Sequence, residues 1–134
     1  MTSRTIFLSK LLGLYCILGG LAMIVHKQEI TQTIAALVHD APLFFMVGVI
    51  TLAAGLALVL GHNVWSGGAL PVVVTIIGWL TLFKGVVIMF LTSAQSSGFF
   101  LGTMSYQQHE YFYTGFSVAI GLYLTIAGFL AKAD

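Results

Sequence analysis

The sequence predicts an all-α integral membrane protein: an antiparallel up-down bundle of four transmembrane helices, with a short interfacial amphipathic helix between spans one and two. Three observations predict it. Of 134 residues, 59% are hydrophobic and only 7% charged, against about 25% charged in a soluble domain, and the mean hydropathy is +1.04. Four segments, 6–25, 43–60, 71–91 and 111–131, each hold 18 to 21 mostly apolar residues, and roughly 20 suffice to cross a hydrocarbon core of about 30 Å. Each segment also carries two glycines seven residues apart. The pieces between them are too short for a core of their own, so residues 1–134 are read as one transmembrane domain. A barrel would show alternating strands, whereas 47–60 and 71–77 are continuously apolar, as in a helix.

The first span follows Arg4 and Lys10, as a signal peptide would. Gly20-Leu21-Ala22 is a poor cleavage site, and Tyr15 before Cys16 is too bulky for lipoprotein processing. The span is therefore expected to be retained. In the first connection, Ile30, Ile34, Leu37, Val38 and Ala41 recur at helical spacing among polar residues, which predicts an amphipathic helix lying at the interface. The second connection, 61–70, reads as a tight turn: Gly67-Gly68 reverses the chain, Pro71 opens the third span, and Trp65 fits an aromatic belt. His62 and Asn63 are kept as residues able to recognise a partner. The third connection, 92–110, is rich in Ser, Gly, Gln and Thr around Phe99, Phe100, Leu101 and Met104, and is where a mobile binding element is expected. Arg4, Lys10 and Lys132 flank the end of the two termini, while the opposite end has Lys27 beside Glu29, Asp40 and Glu110. The excess of basic residues predicts both termini in the cytoplasm of a multi-pass protein of the inner (plasma) membrane.

The glycine pairs are Gly13 and Gly20, Gly48 and Gly55, Gly78 and Gly85, Gly121 and Gly128. Lipid gives helices no hydrophobic reason to associate, so close approach at small residues does much of that work. A seven-residue period suits left-handed crossings. The pairs also suggest a duplication of two-helix halves, with Gly13 through Gly20 resembling Gly78 through Gly85 and Ala53-Ala54-Gly55 resembling Ile126-Ala127-Gly128.

Lys84 is the sharpest polar feature, a charge inside the third span that costs about 2.5–3.5 kcal/mol at the centre of an inserted helix. It is expected to be paired or to line a cavity, with snorkelling to the interface as the alternative. His39-Asp40 and His109-Glu110 stand before the second and fourth spans. They form either a polar cluster able to hold a metal or relay protons around Lys84, or two helix starts with interfacial histidines. The second reading is favoured, because neighbouring side chains rarely aim at one ion, and no metal or cofactor is expected.

No span contains a histidine to hold haem. One cysteine excludes an internal disulfide and a Cys-based zinc site, and no phosphate loop or nucleophile elbow occurs. A net charge of +1 excludes a nucleic-acid binder. His62-Asn63-Val64-Trp65, Pro71 to Trp79 and Lys84-Gly85 together resemble a pattern in small uncharacterised bacterial four-helix inner-membrane proteins with an H-N-x-W turn. The resemblance implies that the turn and Lys84 belong to one structural unit, and it brings no activity. In size and span count the chain is also similar to small multidrug exporters, fluoride channels and DoxX-like proteins, without their diagnostic residues. The leading expectation is a non-enzymatic protein acting by helix–helix contacts in the lipid bilayer, as a homo-oligomer or with a membrane-protein partner. The alternatives are a transporter or channel protomer using Lys84, and a membrane enzyme using the His-acid pairs.

Overall fold

The computed structural model describes residues 1–91, 95, 98 and 106–132, with backbone alone at 106–108 and 110. Among these are five helices and no strand: α1 (Ser3–Val25), α2 (Lys27–His39), α3 (Ala41–Gly61), α4 (Ala69–Phe90) and α5 (Tyr106–Leu130). α1, α3, α4 and the Tyr111–Leu130 stretch of α5 are long and apolar enough to cross a membrane. Polar caps start α1 and α3 ahead of their apolar runs. Thr2 Oγ1 accepts from the Thr5 amide at 3.3 Å, and Asp40 Oδ1 accepts from the Leu43 amide at 3.0 Å. α4 starts two residues ahead of Pro71, which therefore sits at its third position. Amides of a first turn have no partner within the helix, so the proline costs nothing there. Most of the third connection lies outside the described residues.

Tight packing falls in two antiparallel pairs, α1 with α5 and α3 with α4. Along the first pair, Gly121 stands against Cys16 and Ile17, and Gly128 against Ser9 and Lys10. Along the second, Gly48 stands against Ile88 and Met89, and Gly55 against Leu82. The facing glycines do the same. A methyl group on Gly13 would lie 2.7 Å from the Thr125 amide nitrogen, and one on Gly85 2.6 Å from Leu52 Cα. Gly20 meets Val118, and Gly78 meets Leu58. Backbones approach this closely only where the side chain is a hydrogen, and the dispersion gained along such a seam is what holds helices together where lipid offers no hydrophobic drive.

The two pairs share a register. Moving α1 by 72 residues carries Gly13 to Gly85, and moving α3 by 73 carries Gly48 to Gly121 and Gly55 to Gly128, with their neighbours following. Sequence matching of Gly55 with Gly128 is thus in step with the packing, and that of Gly13 with Gly78 is one heptad out.

Between the pairs, the buried cluster that joins them lies at the end that holds the chain termini. There Leu70, Val74 and Leu124 are buried together, with Leu8, Leu12, Ile77 and Ile120 against them. At the other end, Val38 of α2 is buried with Phe44 and Ile88, and Ile34 packs on them. The apolar stripe of α2 thus rests on α3 and α4. The remaining surface is apolar and outward, with Phe7, Leu18, Phe83 and Leu130 all exposed, as a lipid-facing surface requires.

Candidate functional site

The polar groups concentrate where α3 turns into α4. The chain leaves α3 at His62, whose amide donates to the Leu58 carbonyl at 2.8 Å, and stays extended there. It then runs back beside the first turns of α4 and reverses at Gly67 and Gly68, whose φ values of 89° and 119° exclude most other residues. One buried hydroxyl pins this strap. Thr75 Oγ1 accepts from the Val64 amide at 3.0 Å and has the carbonyls of Val64 (2.9 Å) and Pro71 (3.0 Å) as acceptors for its proton. His62 is buried, and its Nε2 lies 3.3 Å from the Pro71 carbonyl. A carbonyl only accepts, so the bond assigns the proton to Nε2. Asn63 Oδ1 accepts from Trp65 Nε1 at 2.8 Å and from Trp79 Nε1 at 3.4 Å. Both tryptophans of the chain converge on one amide oxygen, with their rings exposed. His62 is turned inward and the Asn63 oxygen is engaged, so what this turn offers to the outside is two held indoles.

Lys84 is exposed on α4, next to the buried Gly85. It lies outside both glycine seams, and none of the described carboxylates is within ion-pair distance. Asp40 is the cap of α3, and His39, exposed, ends α2. His109 is exposed in the first turns of α5, and the Glu110 side chain lies outside the described residues. Among the described residues no three of His, Cys, Asp and Glu come together. Glu29 pairs instead with His26, at 3.3 Å on the surface, where such a contact contributes little.

A cap and a cluster member differ in what they need. Asn caps as well as Asp does, so Asp40→Asn should shift stability by less than about 0.5 kcal/mol, whereas Asp40→Ala should cost about 1 kcal/mol. Denaturation of the purified protein in mild detergent checks both.

Sequence reasoning did not single out Thr75, Trp79 or the polar seam of α1 and α5. In that seam Thr5 and Ser9 are buried, and Ser9 Oγ donates to the Thr5 carbonyl at 2.7 Å. Only Thr75 left a local trace, as a hydroxyl four residues after a proline in an apolar run. Fold and site together define an all-helical chain with four helices capable of spanning a membrane. No family model, curated protein or solved structure matches it.

Proposed function

We propose that this chain is a four-span inner-membrane protein, with up-down-up-down helices and both termini in the cytoplasm, that acts by lateral contacts in the bilayer as an accessory subunit or homo-oligomer. It belongs, on this reading, with the small bacterial proteins that its H-N-x-W turn resembles, and it performs no catalysis. One observation carries the reading: of the polar side chains that the sequence marks out, Asp40, His62 and Asn63 are occupied in holding helices and their turn, while His39, Lys84 and His109 are exposed and converge on no common site. Asp40 caps α3, His62 and Thr75 fasten the strap to α4, and Asn63 holds two indoles. What the fold presents outward is a broad apolar surface, and in a membrane such a surface meets lipid or another protein.

Co-expression of two differently tagged copies, followed by mild extraction, tests it. Co-isolation of the second tag, or of one membrane protein in fixed ratio, is the expected result. A lone single chain in the native membrane overturns the reading. The outward Lys84 favours a second reading, a transporter or channel protomer. Anion flux into reconstituted vesicles that disappears in Lys84→Ala would establish it, and equal flux in both would remove it.

A further inference from the structure

We infer that the half of the molecule remote from the termini holds a lateral crevice between the two helix pairs, in which Lys84 binds the acidic headgroup of a membrane phospholipid. The crevice follows from register. On α4, Leu70 and Ile77 belong to the cluster that joins the pairs, and Lys84 continues their line two helical turns further on, where it is exposed. On α1, Leu8 and Leu12 belong to the same cluster. Seven residues beyond them, Tyr15 is 75% exposed and a side chain at Gly19 would meet nothing within 4 Å. On α5, Ile120 is in the cluster, and Phe116, one turn nearer the far end, is 59% exposed. Three helices therefore present to open space the continuation of the faces by which they touch. The pairs meet at one end and part toward the other.

The walls of this opening are apolar and aromatic, and Lys84 is its cation. Lys84 lies six residues before the end of α4 at Phe90, or about 9 Å along the axis, so an acidic headgroup drawn into the opening from the α2 end meets its amine. An amphiphile with an acidic head toward the α2 end and its chain toward the closed end matches that polarity. The described residues supply no carboxylate to neutralise the amine, and a phosphate from the bilayer does so.

The test uses the whole chain in nanodiscs of phosphatidylcholine with a minority of phosphatidylglycerol, read by native mass spectrometry of the released single chain. One phosphatidylglycerol retained per chain, enriched roughly fivefold over its share, is expected, since a basic residue near the surface contributes about that much. Lys84→Arg should keep the enrichment and Lys84→Gln should lose it. Gly19→Leu, which fills the opening and leaves Lys84 in place, should lower retention with helix content unchanged. Equal retention of both lipids, or enrichment that survives Lys84→Gln, overturns the proposal. Loss of chain–chain association in Lys84→Gln without loss of the lipid also overturns it and assigns the amine to a protein partner. The lipid is read on single chains, so its absence leaves the proposed assembly standing, and failure of the assembly leaves the lipid result intact.

Discussion

Gly55→Ala should destabilise the protein in mild detergent by about 2 kcal/mol, lowering its unfolding midpoint, and Gly85→Ala should do nearly the same. The added methyl group on Gly55 would fall on the backbone of Leu82, and that on Gly85 on the backbone of Leu52. Backbone has no rotamer to escape by, so α3 and α4 must separate along the whole seam. Overpacking of this kind costs about 1–3 kcal/mol even where side chains can yield, and here the upper end applies. The opposing term is smaller. Replacing glycine by alanine in a helix gains about 0.8–1 kcal/mol in water, and the clash outweighs it. Gly19→Ala supplies the control, because nothing lies within 4 Å of a methyl group there, and its midpoint should be unchanged or slightly higher. Thermal unfolding followed by circular dichroism in one detergent, for all three variants, decides the ranking. A Gly55→Ala protein as stable as Gly19→Ala would show that the seam is not packed as described.

The second large effect belongs to Thr75. Thr75→Val keeps the shape and removes the hydroxyl, leaving the Val64 amide without its acceptor beside a fully buried position. A buried donor stripped of its partner costs about 1–3 kcal/mol. Thr81 makes a similar substitution informative: its hydroxyl donates only to the Ile77 carbonyl of its own helix, which already accepts a backbone bond, so Thr81→Val should cost less than about 0.5 kcal/mol, within the range of an ordinary substitution away from such features. Trp fluorescence adds a readout that is independent of global stability. The strap sets Asn63 against both indoles, so Thr75→Val should red-shift and broaden the emission, while Thr81→Val should leave it unchanged.

Hydropathy made the helices legible, and capping chemistry made some of their ends legible. Asp40 before Ala41-Pro42 reads as a helix start, and it is one. The choice of neighbours was hidden. All four spans carry the same heptad of glycines, so any of them could face any other, and no local signal says that α1 takes α5 and α3 takes α4. The same periodicity explains the misplaced repeat: a heptad matched to itself fits equally well one heptad off, and only the opposing residues show that Gly13 corresponds to Gly85. The strap was half legible. Gly67-Gly68 and the aromatic residue mark a turn, but the bond from Trp79 back to Asn63 spans sixteen residues and depends on how far α4 overshoots α3. Lys84 was conspicuous by its charge, while its surroundings follow from where two helix pairs part, which is a property of tertiary packing alone.

Sidedness of single cysteines in intact cells tests the four crossings most directly. In a Cys16→Ser background, cysteines at Thr2, Ser66 and Lys132 should react with a membrane-impermeant maleimide only after the cell membrane is opened, and cysteines at Gln32 on α2 and His109 on α5 should react in sealed cells. Any two of Thr2, Ser66 and Lys132 labelled from opposite sides, or Gln32 or His109 labelled from the same side as those three, would contradict a chain that traverses the bilayer four times.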